Sequence, residues 1–139
     1  MASQIPAGYK VWTQTWTAPS AAYATDHVIF TAPFDCILLA ISECHSVVGS
    51  NGGAVSLQVT KDTGTDAPGA GTNLLVNNSD AGFNLKSTIN TVVDGVFATT
   101  AGLRNLAKGN RLAIDYAGTQ TDVVGTALTM TFAANLDSQ

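Results

Sequence analysis

Few side chains in this sequence could do chemistry, and their spacing limits them further. The chain has two histidines, His27 and His45, and one glutamate, Glu43, so general bases are scarce. No serine sits in a Gly-x-Ser-x-Gly elbow and no His-Glu-x-x-His occurs. Glu43-Cys44-His45 groups three metal-ligand types, but alternate strand residues point to opposite faces, so Cys44 diverges from both neighbours. No second cluster supplies the missing ligands of a zinc site. Cys36 and Cys44 are eight residues apart, and on one continuous strand that separation far exceeds the ~7 Å Cα limit of a disulfide. They read as two small buried hydrophobes.

Three further motifs reduce to turns. Asp62-Thr63-Gly64 matches the tripeptide of aspartic proteases, whose paired aspartates need an apolar, buried loop. Here it runs into Thr65-Asp66-Ala67-Pro68-Gly69, which reads as a polar surface turn. Gly64 to Gly69 has phosphate-loop end spacing, yet Ala70-Gly71 replaces the required Lys and Ser/Thr, and Gly69-Ala70-Gly71 lacks a dinucleotide loop's third glycine. Asn77-Asn78-Ser79 fits a glycosylation sequon but reads as a turn. The expectation is a non-enzyme with no catalytic residue, no metal and no cofactor.

Charge narrows the partners. Net charge is −4 and no two of the six Lys and Arg are adjacent, so no basic stripe for nucleic acid can be assembled. The opening Met-Ala-Ser-Gln-Ile-Pro has neither the basic nor the apolar region of a secretory signal, and no apolar run approaches the ~20 residues of a membrane span. Retention in the cytosol that synthesises it, short of release by lysis, is the expectation, with neither membrane nor nucleic acid as partner. Hydrophobic residues make up 45% of the 139, but charged ones only 12%, about half the usual supply. Ordinary apolar content excludes disorder, and a single glutamate argues against long amphipathic helices.

The elements that remain are strands. Residues 1–20 form a distinct opening in which Tyr9, Val11, Thr13 and Thr15 alternate with Lys10, Trp12, Gln14 and Trp16; Pro6 and Pro19 bracket this edge strand or extended arm. Val28 to Thr31 is a short strand, and Phe34 to Val48 the longest candidate. After the turn at Gly49-Ser50-Asn51-Gly52-Gly53, Val55, Leu57 and Val59 alternate with Ser56, Gln58 and Thr60, which predicts one buried and one wet face. Phe83, Leu85 and Ile89 continue the period-2 pattern, Val93 to Thr99 is a further strand candidate, and Leu112–Tyr116 and Leu128–Phe132 close the series. Seven or eight short strands with no convincing helix make a single all-β domain over 21–139, a sandwich or barrel.

Trp12 and Trp16 share one strand face with Lys10 and Gln14. They are either a pair of core anchors or an aromatic contact on a neighbouring subunit, where tryptophan is enriched.

The stretch from Val59 onward resembles a pattern in tailed-phage virion proteins. Its pieces are Val59-Thr60-Lys61-Asp62-Thr63-Gly64, Ala67-Pro68-Gly69-Ala70-Gly71-Thr72-Asn73-Leu74-Leu75, Phe83-Asn84-Leu85-Lys86-Ser87-Thr88-Ile89-Asn90-Thr91-Val92, and the turn-to-strand entry Leu106-Ala107-Lys108-Gly109-Asn110-Arg111-Leu112-Ala113-Ile114-Asp115-Tyr116. It ends at Val123-Val124-Gly125. This looks like the small jelly-roll decoration, or cement, proteins of phage capsids, over roughly Val28 to Phe132. The usual glycine-aspartate entry is Gly109-Asn110 here. The resemblance implies an antiparallel jelly-roll β-sandwich, a homotrimer on the capsid surface, and the major capsid protein as partner; the extended N-terminal arm is read from the residues alone. Residues 1–20 fall outside the match. On physical grounds alone, Trp12, Trp16, Lys10 and Gln14 are the candidate capsid or subunit interface. The alternative is a carbohydrate- or receptor-binding module of a phage fibre, which would use exposed aromatics.

Overall fold

The computed structural model describes residues 8–19 and 25–135. Its strands are β1 Tyr9–Thr17, β2 His27–Thr31, β3 Cys36–Cys44, β4 Ser56–Asp62, β5 Thr72–Asn73, β6 Phe83–Asn84, β7 Val93–Asp94, β8 Asn105–Leu106, β9 Arg111–Ala117 and β10 Ala127–Asn135. They form two antiparallel sheets. The first runs β1-β10-β3-β7 with β8 also on β3; the second runs β2-β9-β4-β5 with β6 also on β4.

The chain changes sheet at β1, β2, β3 and β4 in turn, then returns through β9 and β10. The returning strands pair with the outgoing ones, β10 with β1 and β3, and β9 with β2 and β4. This is the jelly-roll winding expected from the resemblance, in which a long folded hairpin is split between two layers. Alternation explains the layers. Leu57 and Val59 on β4 stand opposite Tyr116 and Ile114 on β9, while Phe132 on β10 stands opposite Trp12 on β1 and Leu38 on β3. Phe132 ties the layers together: its ring stacks on Phe30 of the second sheet at 4.1 Å and on Trp12 at 5.3 Å. Such pairs add about 0.5–1.5 kcal/mol beyond the area they bury.

The two readings of residues 1–20 separate here. Tyr9–Thr17 is an edge strand in register with β10 at nine positions, and residues 1–7 lie outside the described residues.

The middle of the chain departs from its period-2 pattern. The strand candidate over Phe83–Asn90 is cut to Phe83–Asn84, and the one over Val93–Thr99 to Val93–Asp94 with a single bridge from Phe97 to Leu75. The first strand ends in a local turn, where Asn84 Oδ1 accepts Lys86 N–H at 2.9 Å, and Thr88 and Asn90 then adopt left-handed φ of 63° and 54°, which keeps the chain from resuming extended structure before β7. Ile89, Val92 and Val96 stand 45%, 65% and 55% exposed.

Candidate functional site

β1 carries the residues singled out from the sequence. Lys10, Trp12, Gln14 and Trp16 lie opposite Ala134, Phe132, Met130 and Leu128 of β10, all four of them buried. The quartet thus shares the inward side of the first sheet, at its rim. Trp12 packs edge-on to Phe34 at 5.7 Å, and its Nε1–H donates to Gln14 Oε1 at 3.1 Å. Trp16 meets the His27 ring at 5.2 Å. Both tryptophans pack against the core and both are half-buried. Core anchoring therefore uses much of each ring and leaves the rest at the sheet margin, with Lys10 and Gln14 exposed beside them.

The opposite face of that sheet carries no sequence motif. Val11, Thr13, Thr15 and Thr17 of β1 turn outward beside Ala127, Thr129, Thr131 and Ala133 of β10, and then Ala40, Ser42 and Cys44 of β3. None of these eleven side chains is charged. Thr13 and Thr131 hydroxyls stand 3.4 Å apart, a cross-strand contact of the kind that stabilises a sheet face. A bulge at Leu39, between the pairs Leu38–Phe132 and Ala40–Thr131, twists the border of the face. Arg104 caps that border by donating to the Leu39 carbonyl at 3.3 Å. The signal for this face was present as the odd positions of β1 together with the low charge of the whole chain.

On the second sheet the prediction of a wet face on β4 is overturned. Ser56, Gln58, Thr60 and Asp62 point outward yet are no more than 3% exposed. Residues 63–82 fold back over them. Gln58 Nε2 donates to the carbonyls of Leu75 and Asp80, both at 2.9 Å, while its Oε1 accepts Leu75 N–H at 3.1 Å and Val59 N–H at 2.9 Å. That satisfies every hydrogen-bonding position of the amide and closes the gap between β5 and β6.

Asp62 is likewise buried, not at the surface as the turn reading implied. Its carboxylate accepts Gly69 N–H and Gly71 N–H at 3.0 Å each and the Thr60 hydroxyl at 2.7 Å, so it knits the 63–71 turn together. Burial, reinforced by the charges of Asp26 and Asp62, holds the nearby Asp115 carboxyl above its ordinary range. The sequon-like Asn77-Asn78-Ser79 is a left-handed turn with φ 53° at Asn78 and Ser79, and the Asn77 side chain braces Val96 N–H and the Asp94 carbonyl.

Glu43 and His45 meet inside the first sheet. Both are 1% exposed, with His45 Nδ1 2.9 Å from Glu43 Oε1. Burial raises the Glu43 pKa, and the His45 contact opposes that rise. Cys44 turns to the other face as expected. Among the described residues no group of three or more His, Cys, Asp or Glu side chains is placed to hold a metal. A cleft of about 230 Å³ lies between Ile37 and Ala98–Asn105, below the ~300 Å³ at which small-molecule sites begin.

No protein-family model matches the sequence, and no curated protein matches it. A solved structure described as the cyanophage Pam1 capsid asymmetric unit superposes with a TM-score of 0.52, at 12% identity, over 96% of this chain and 91% of that one. The likeness is one of architecture, and it runs nearly end to end in both chains.

Proposed function

We propose that this protein is a structural component of a phage virion that binds the outer face of the capsid shell as a cement protein, without catalytic activity. The observation that carries the reading is the end-to-end fold likeness to a chain of a phage capsid asymmetric unit. The virion pattern over Val28 to Phe132 points the same way. The outward face of the first sheet supplies a physical means. An uncharged, hydroxyl-bearing surface can adhere through many modest contacts without desolvating ions, which is the expensive part of burying a polar face. The major capsid protein is the partner in this reading and the capsid surface its location. A homotrimer is the assembly that the family resemblance implies.

The test is co-sedimentation with expanded, empty heads. Saturable binding is expected, and it should change no more than about two-fold between ~0.1 and ~0.5 M salt, because the proposed contact carries no charges to screen. Protein left wholly in the supernatant sinks the reading, and a specific hit on a glycan array under the same conditions favours the fibre module instead.

A further inference from the structure

β1 ends the first sheet with its outer edge unpaired among the described residues. Such an edge presents a row of main-chain donors and acceptors to any strand that fits it. Which groups face out follows from one bond. Ala18 N–H donates to the Thr126 carbonyl, so in the alternation of an antiparallel ladder the even-numbered residues of β1 spend their main-chain groups on β10. Val11, Thr13, Thr15 and Thr17 therefore turn N–H and C=O outward. The strand is nine residues long, and its register with β10 runs without a shift. The devices that usually blunt an edge are bulges, prolines and inward charges, and here Lys10 near one end is the single charge.

The other described edges cannot match it. The far side of the first sheet offers β7 and β8, of two residues each. The second sheet offers β2, five residues with a register shift between Val28 and Phe30, and the two-residue β5 and β6. Only another β1 presents nine unbroken positions. Strand addition between copies must then be isologous, about a two-fold axis.

We infer that two copies of the chain pair edge to edge through β1, antiparallel about a two-fold axis at Thr13, so that their first sheets join into one. In this register Thr13 opposes Thr13, Val11 opposes Thr15, Trp12 opposes Gln14 and Lys10 opposes Trp16 of the other copy. Odd residues meet odd residues, which is the phase in which outward N–H and C=O groups bond each other. The two Lys10 residues stand six positions apart, about 20 Å, well beyond a Debye length of ~8 Å at physiological salt. Each instead faces an indole, a favourable neighbour for a cation. Val11 and the three threonines carry the uncharged outer face continuously across the axis. The inference does not depend on the cement reading, and it is an alternative to the three-fold assembly that the sequence resemblance implies.

Mass in solution, by light scattering on a sizing column, is the first test, with two protomers expected. Thr13→Lys sets two like charges directly opposite each other at the axis while its side chain stays on the solvent face; the expected result is a monomer with an unchanged circular dichroism spectrum. Thr13→Cys reads the register. A hydrogen-bonded pair holds both its Cα and its Cβ atoms about 5.5 Å apart, wide for a direct disulfide but well within reach of a short bis-maleimide, which should give a covalent dimer. Val11→Cys, which faces Thr15, should give none, and neither should the wild-type cysteines. A mass of one or three protomers, a dimer that survives Thr13→Lys, or no cross-link in Thr13→Cys overturns the inference. None of these outcomes bears on whether the protein binds heads.

Discussion

On β4, the outward residues Ser56, Gln58, Thr60 and Asp62 are as buried as the core, whereas on β1 the outward residues Val11, Thr13, Thr15 and Thr17 are exposed. The two strands read alike, since each alternates apolar or aromatic residues with small polar ones. What differs is whether a later part of the chain returns to cover the second face. Residues 63–82 do so over β4, and every donor and acceptor of Gln58 is taken up within the molecule. Over β1 and the neighbouring stretch of β10 no described segment does. Polar outward residues therefore do two opposite jobs here: on the second sheet they hold a loop, and on the first they leave a surface.

The largest test of that contrast is Gln58→Ala set against Thr129→Ala. Truncating Gln58 strands the N–H groups of Val59 and Leu75 and the carbonyls of Leu75 and Asp80, all of them main-chain groups in or beside β4. At about 1–3 kcal/mol for a buried group left unsatisfied, with partial relief from water, the expected loss is about 3 kcal/mol. Thr129 stands half-buried on the outward face of β10, so its truncation should cost within about 0.5 kcal/mol. Urea unfolding of both variants decides it. Equal losses would mean that the face over β10 is no more open than the face over β4.

Legibility divided along the same line. Alternation in residues 9–16, 55–60, 112–116 and 128–132 placed β1, β4, β9 and β10, and it put Lys10, Trp12, Gln14 and Trp16 on one side of a strand. Period-2 patterning reports which face is apolar, but nothing about what covers the other, because the cover of β4 arrives as many as twenty residues later. The reading of Ser56, Gln58 and Thr60 as wet failed for that reason. Ile89, Val92 and Val96 misled in the opposite sense. They kept a strand-like rhythm, while Thr88, with no sequence signal of its own, and Asn90, a residue type that tolerates it, turned the backbone left-handed, and all three apolar side chains are exposed. The uncharged outer face had only a diffuse signal, the 12% of charged residues, and no motif search responds to that.

Each sheet also holds one carboxyl above its ordinary pKa, and the two should titrate in the same direction for different reasons. Glu43 is raised from 4.5 chiefly by desolvation inside the first sheet. Asp115 is raised from 3.8 by burial and then by Asp26 and Asp62 beside the second. A carboxyl whose folded pKa exceeds its unfolded value binds protons more tightly in the native state, so stability falls as pH rises between the two values. Unfolding free energy should therefore increase as pH is lowered from 7 toward the ordinary carboxylate range. Glu43→Gln and Asp115→Asn should each flatten that rise, and the double variant should flatten it further. If both single variants keep the wild-type slope, neither site holds its carboxyl in the way the structure indicates.

The smallest expected effect lies in the connection between the sheets. Thr88 is exposed, β-branched and held at φ 63°, in the stretch that carries the chain from β6 of the second sheet to β7 of the first. A left-handed backbone costs a non-glycine residue roughly 1–2 kcal/mol, and its hydroxyl returns little, reaching Ser87 Oγ at 3.3 Å. Thr88→Gly removes that cost but gives the unfolded chain more freedom, which takes back about 0.4–1 kcal/mol. The net expectation is a gain of about 0.5 kcal/mol, read as a small upward shift of the urea midpoint at constant slope. A loss instead would mean that the Thr88 side chain holds the turn that ends the period-2 pattern, and that the exposure of Ile89 and Val92 depends on it.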